Sequence, residues 1–317
     1  VPVLDSLNLR DANAMRATLG LRMVDGTFEA NVFGFTENAD DLSVPDLGAQ
    51  EFGPSEGGGP PSLPKFAATS TLVNGEVGNN QFLYDHSFRA KYAQDLWGTG
   101  FNYVVHPSSA GPGLKIMPMF GFRYFEVNEG LYQTGVFNGG FDGVVDFGED
   151  LNSNGQLDPG EDVNGDEILD LGLVSNINSI VNNELFAPQL GVRFELQHQW
   201  FALGFEPKLA LGVNRYESQV STSRLRSFDD PLTIATASGN RFTQIADFRF
   251  YAKLHPSDRV SLFVAYDIMI VGGVSRAYDN VYYNDNGTNQ PPAFGVEPGF
   301  ESFWWQGLTV GGEFQLR

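Results

Sequence analysis

The residues best suited to chemistry lie in "DLNSNGQLDPGE", Asp150 to Glu161. Oxygen-bearing side chains fall at positions one, three, five, nine and twelve of this stretch: Asp150, Asn152, Asn154, Asp158 and Glu161. Gly155 takes position six, where a calcium loop must turn sharply, and Gln156 at position seven would contribute its backbone carbonyl. Calcium accepts roughly six to eight oxygens in a flexible shell, which a bidentate glutamate at position twelve completes. The spacing predicts one strong Ca2+ site.

The pattern repeats with a period of twelve. Asp142, Asn154 and Asp166 correspond, as do Asp146, Asp158 and Asp170, and Glu149 and Glu161. The flanking copies are incomplete: residues 138–149 begin with Asn138, and residues 162–173 offer Asp162, Asn164, Asp166 and Asp170 but lack Gly at six and an acid at twelve. One or two weaker sites are expected beside the strong one. Neither flank reads as a helix, so the segment resembles the tandem acidic loops of dockerins and thrombospondin type 3 repeats rather than a helix-opening EF-hand. Residues 138–173 carry ten acids and no Lys or Arg. Without cations they would repel one another and remain disordered.

Strands must position this loop. In "FALGFEPKLALGVN" the residues Phe201, Leu203, Phe205, Leu209, Leu211 and Val213 fall on one face, opposed by Ala202, Gly204, Glu206, Lys208 and Asn214. "RFTQIADFRFYAKL" and "LGVRFELQ" alternate in the same way. Strands are expected near 16–24, 27–35, 86–106, 113–127, 184–197, 200–216, 240–254, 259–271 and 303–316. Short connections alternate with long ones at about 36–85, 128–183, 217–239 and 272–302, the arrangement of an outer-membrane barrel. The fold class is thus all-β: an antiparallel up-and-down transmembrane β-barrel forming a single domain over 1–317, with short periplasmic turns and long extracellular loops. Residues 138–173 form an acidic calcium-binding extracellular loop inserted within it. Because bacterial single-chain barrels have even strand numbers, about ten strands are expected, or alternatively twelve. Residues 1–13 or a long connection would supply what nine lacks.

The charged face carries Arg22, Glu29, Lys115, Arg123, Arg193, Glu195, Glu206, Lys208, Asp247, Arg249, Lys253, Asp267 and Glu313, nearly balanced in sign. In a membrane barrel these line the lumen while the greasy face meets lipid. Trp97, Tyr124, Trp200, Phe201, Tyr216, Phe242, Phe303, Trp304 and Trp305 are expected at the membrane interfaces. Arg193 with Glu195, Glu206 with Lys208 and Asp247 with Arg249 are expected either to brace the interior or to line a narrow polar channel, with bracing favoured.

Composition closes other function classes. The 317 residues include no cysteine, which removes disulfides, Cys-ligated zinc and thiol nucleophiles. A formal charge of -20 argues against binding nucleic acid, and no apolar run is long enough for a membrane helix. The opening "VPVLDSLNLR" has no signal-peptide character, as expected of a mature exported form. His86, His106, His198 and His255 are scattered and read as turn residues; no nucleophile stands at a telling spacing from a base, and no enzyme activity is expected. "GPSEGGGPPSLP" reads as a flexible loop.

"LWGTGFNYVV", "MFGFRYFEVNEGL", "NELFAPQLGVRFELQHQWFALGFEPKLALGVNR", "VSLFVAYDIMIVGGVSR" and "FWWQGLTVGGEFQLR" occur in that order. Together they resemble the planctomycete outer-membrane family named Putative beta-barrel porin 7, most clearly at Gly121-Phe122-Arg123-Tyr124 and Gln306-Gly307-Leu308. The resemblance covers the chain from about Arg16 onward and implies an outer-membrane barrel at the surface of a Gram-negative-type bacterium. The expected function is a structural or interaction barrel presenting calcium-stiffened loops, in contact with outer-membrane lipid and lipopolysaccharide and with a homo-oligomeric or surface-layer partner. A porin for small solutes is the alternative.

Overall fold

A computed structural model describes residues 14–44, 73–76, 84, 87–107, 112–137, 173–225, 231–257, 259–284 and 293–314. The described residues are almost wholly β. Nine antiparallel strands form one curled sheet in the order β1 (Ala14–Arg22), β2 (Gly26–Val44), β3 (Ser87–Val105), β4 (Gly113–Phe137), β5 (Leu173–Gln197), β6 (Phe201–Ser223), β7 (Thr233–Ser257), β8 (Val260–Ser275) and β11 (Phe300–Phe314). A second, two-stranded sheet pairs β9 (Val281–Asn284) with β10 (Ala293–Val296). No described helix is long and apolar enough to cross a membrane, which says nothing of strands.

The nine segments read from alternation are the nine strands of the main sheet. Eleven strands are described in all, close to the expected ten or twelve, but only nine belong to the main sheet: β9 and β10 lie apart from it, and residues 1–13 are outside the described part. The sheet is not closed by a ladder either, because β1 and β11 stand at its two ends.

Burial alternates along the inner strands of the sheet, as in β5, where Val181, Asn183, Leu185 and Ala187 are buried and Ile180, Phe186 and Leu190 are exposed, whereas the end strand β1 is exposed almost throughout. The pleat sends one set of side chains inside the curl and the other outside. Apolar side chains stand exposed on all nine strands, including Leu19, Phe28, Phe101, Phe122, Leu190, Leu209, Phe242, Val264 and Leu308. They form a belt toward the short-turn end. Trp97, Tyr124, Trp200, Phe201, Phe242 and Trp304 face outward as expected, with Trp97, Tyr124 and Phe186 in ring contact at 5.1 and 4.9 Å. Tyr216, Phe303 and Trp305 instead point inward: Tyr216 meets Phe300 at 4.9 Å, and the other two pack on the core.

The short turns are tied together by the histidines. His106 N donates to Asp25 O and its ring meets Thr27 Oγ1 at 2.9 Å. His198 stacks on Phe201, and His255 N donates to Trp200 O. Their expected turn role is borne out, while His86 lies outside the described residues.

At the other end the strands run far beyond the expected boundaries. β4 and β5 have 25 residues each and pair through to Phe137 and Leu173, where a connection was expected from residue 128. Crossing lipid takes only about 9–11 residues per strand. The expected loop at 272–302 is also partly structured. Gly273 of β8 has a left-handed φ of +70°, and a methyl group there would come within 2.5 Å of Phe242 O, so the position favours glycine. The chain then enters the curl through a 3-10 turn, Ala277–Asp279, and the β9–β10 pair.

Candidate functional site: a filled lumen

The inward face is built in levels, and five strands present them in a consistent order. Starting from the short turns, β5 presents Glu195, Arg193 and Gln189, then Ala187 and Leu185, then Asn183, then Val181 and Ile177. β6 follows with Glu206 and Lys208, then Ala210, then Asn214 and Ser218, then Val220, and β4 with Arg123, then Phe125 and Val127, then Glu129. In β7 and β8, Asp247 and Asp267 likewise precede Ile245 and Met269. Alternation places each residue inside, and strand order stacks the levels.

The charged level is a connected chain. Glu29 pairs with Arg193 at 2.8 Å, Arg193 with Glu206 at 2.7 Å, Glu206 with Lys208 at 2.8 Å, Lys208 with Asp247 at 3.4 Å, and Asp247 with Arg123 at 2.6 Å. Three acids thus face three bases. Arg123 and Asp247 side chains are only 2% and 7% exposed, so the pair is cut off from water. Beside this chain Asp267 receives Arg16 at 3.2 Å, Thr309 Oγ1 at 2.9 Å and Arg249 at 3.7 Å. Gln189 donates to Asn102 Oδ1, and Tyr251 Oη donates to Glu195 at 2.6 Å.

Of the three expected pairs, Glu206 with Lys208 forms. Arg193 turns from Glu195 to Glu29 and Glu206, and Asp247 turns from Arg249 to Arg123 and Lys208. Residues two apart on one strand point the same way, but Glu206 and Lys208 lie closer on the neighbouring strand, and the curl brings in Glu29 and Arg123 from strands that are not neighbours. Such partners leave no trace in local spacing.

Above the charges lies a dry level: Phe33, Leu96, Phe125, Val127, Leu185, Ala187, Ala210, Ile245, Met269 and Val271 are buried together, with Phe35, Phe303 and Trp305 against them. Phe33 stacks on Phe125 at 5.8 Å.

Next comes the seat of the inturned segment. Asn183 Nδ2 donates to Ser275 O and its Oδ1 accepts from Ser275 N, both at 2.9 Å, so the amide side chain imitates a strand partner. Asn214 Nδ2 donates to Asn183 Oδ1 and Gly273 O. Ser275 Oγ donates to Asn280 Oδ1, which also accepts from Gly299 N. Glu129, fully buried, takes Arg276 at 2.9 Å, Ala277 N at 3.1 Å and Gln94 Nε2 at 3.0 Å, and Arg276 also donates to Tyr92 Oη. Burial is the largest influence on Arg276 and would lower its pKa, but the Glu129 carboxylate together with Tyr92 and Tyr278 holds the guanidinium above its ordinary value. Farther out, Val281 and Tyr283 of β9 are buried with Tyr84, Phe88, Ala90, Ile177 and Val220. Residues 276–284 with β10 therefore plug the curl at its long-connection end. Sequence spacing missed this plug, although the pair Gly272-Gly273 marks its hinge.

The thirteen expected calcium ligands, Asp142, Asp146, Glu149, Asp150, Asn152, Asn154, Gln156, Asp158, Glu161, Asp162, Asn164, Asp166 and Asp170, all lie outside the described residues, between the ends of β4 and β5. Among the described residues no three His or acidic side chains come together as a metal site.

The family model "Putative beta barrel porin-7 (BBP7)" matches residues 164–316, a span that includes β5 to β11. No curated protein matches the chain. Over that span the chain is similar to a porin-like β-barrel family.

Proposed function

We propose that the chain is an outer-membrane β-barrel with a sealed lumen, serving to anchor and present its long connections at the cell surface. The observation that carries this reading is the unbroken filling of the curl by the charged chain, the dry level and the inturned segment. A solute path needs a continuous wet route, whereas here fully buried Phe125, Val127 and Leu185 lie across it. The outer face supports the membrane setting. An apolar belt on nine strands would be an aggregation hazard in water and is the required surface in lipid.

Purified protein in planar bilayers should be silent while retaining barrel structure by circular dichroism. Stepwise openings of the native chain would replace the anchor by the porin reading that the matched family's name carries.

The presented element is the acidic connection between β4 and β5, read as a Ca2+-ordered loop from the spacing Asp150, Asn152, Asn154, Gln156, Asp158 and Glu161. It would meet lipopolysaccharide, a second copy or a surface-layer partner. Metal analysis of the purified protein should find calcium near one or more per chain. EGTA should expose Asp150 to Glu161 to protease, and no bound calcium together with no EGTA effect would reduce the loop to a charged tether.

A further inference from the structure

The described sheet ends in two unpaired edges, β1 and β11. In lipid every backbone N–H and C=O must find a partner, because no water is there to replace it. This inference rests on the membrane reading above and concerns how the edges are satisfied. An up-and-down sheet of nine strands has its first and last strands running in the same direction, so edges that meet must pair in parallel.

Two side-chain contacts already cross the gap, at different heights. Phe35, the ladder partner of Ala14, meets Trp305 of β11 edge-on at 5.0 Å. Arg16 reaches over β11 to Asp267, whose ladder partner on β11 is Gly307, and Thr309 of β11 donates to the same carboxylate. The first contact sets Ala14 level with Trp305. The second sets Arg16, two residues farther along, level with Gly307, also two residues farther along. Both therefore specify one parallel register.

We infer that β1 and β11 pair directly, in parallel, with Arg16 beside Gly307, closing a nine-stranded ring clasped inside by Asp267. The residues this register brings together fit one another. Outside, Ala17 meets Leu308 and Leu19 meets Val310, which keeps the belt apolar. Inside, Thr18 meets Thr309, Gly20 meets Gly311 and Arg22 meets Glu313, an opposite-charge pair at the short-turn end. A slip of one residue would set the lipid-facing residues of one strand against the lumen-facing residues of the other.

The chain has no cysteine, so paired cysteines report cleanly. Ala17→Cys with Leu308→Cys should form a disulfide within one chain under mild oxidation in the membrane, because neighbouring strands bring Cα atoms inside the span a disulfide allows. Leu21→Cys with Leu308→Cys, four residues out of register, should not. The readout is a monomer band on non-reducing electrophoresis that blocks thiol labelling and shifts on reduction. A folded, membrane-embedded barrel in which the Ala17–Leu308 thiols stay free would overturn the inference and leave the membrane reading standing, assigning the edge to another strand. Bonds between chains would overturn it in favour of a second copy. Protein that extracts from membranes without detergent would instead refute the membrane reading, and this inference with it.

Discussion

Asp247→Ala tests whether the lumen is dry. In the native chain Asp247 holds Arg123 at 2.6 Å and Lys208 at 3.4 Å. Without it Lys208 keeps Glu206, but Arg123 retains a 3.5 Å contact from Nη1 to the Met269 sulfur and the face of Phe33 at 6.0 Å, with no carboxylate, and its Nε has no partner even in the native protein. A buried charge stripped of its partner costs about 3–5 kcal/mol, far more than the net worth of the pair. At a slope of roughly 1–3 kcal/mol per molar urea, the unfolding midpoint should fall by ~1–5 M. Equilibrium unfolding of detergent-folded protein by urea, followed by tryptophan fluorescence, measures this. Removing both charges with Arg123→Met and Asp247→Leu should recover most of the loss, since an apolar pair of similar volume replaces an ion pair at little cost. A loss below about 1 kcal/mol for Asp247→Ala would refute the reasoning. It would mean that water solvates Arg123 and that the interior admits ions.

Three further perturbations probe other levels. Glu129→Ala should leave Arg276 without a counter-charge and Ala277 N without an acceptor, destabilise the protein by roughly 2–4 kcal/mol and open residues 276–299 to protease, yet leave bilayers silent because the dry level beneath remains. Leu209→Arg, in the middle of the outer belt, should cost about 2–4 kcal/mol in a bilayer, measured by urea unfolding from liposomes; a neutral effect there would mean this face does not meet lipid. Gly273→Ala should cost ~1–3 kcal/mol, visible as a lowered Tm, because its backbone is left-handed and the new methyl would press on Phe242 O.

Alternation in the half of each strand nearest the short turns was strong enough to place all nine strands. Leu203, Phe205, Leu209 and Leu211 outside against Gly204, Glu206, Lys208 and Ala210 inside leave little ambiguity. The far halves resemble loops in sequence because both faces there are mixed. Outward Asn176, Asn178, Ser221 and Ser223 are polar, and inward Ser175, Asn183 and Ser218 are polar as well, so the period-two contrast vanishes although the ladder continues. Inside, the residue types of the charged level were legible and their partners were not. Arg193 finds Glu29 from 164 residues away, a pairing decided by how tightly the sheet curls. The inturned segment is indistinguishable from a surface connection in sequence because Tyr282, Tyr283 and Asn284 follow no period that separates a plug from a loop. The calcium loop remains where spacing put it, legible in sequence and outside the described structure.

The overlong strands give the barrel a stand-off height. Phe137, where β4 ends, lies thirteen residues past Tyr124 in the outward aromatic row. In the proposed outer-membrane setting, about 3.3 Å per residue and a tilt near 40° would place the rim on the order of 30–35 Å beyond the lipid boundary. A connection launched from this mast would then begin well outside the headgroup layer, several Debye lengths from the fixed charges of the membrane at physiological salt. The acidic connection would then sample the free calcium of the surrounding medium and not the ions condensed on the membrane. Its occupancy would follow the environment of the cell.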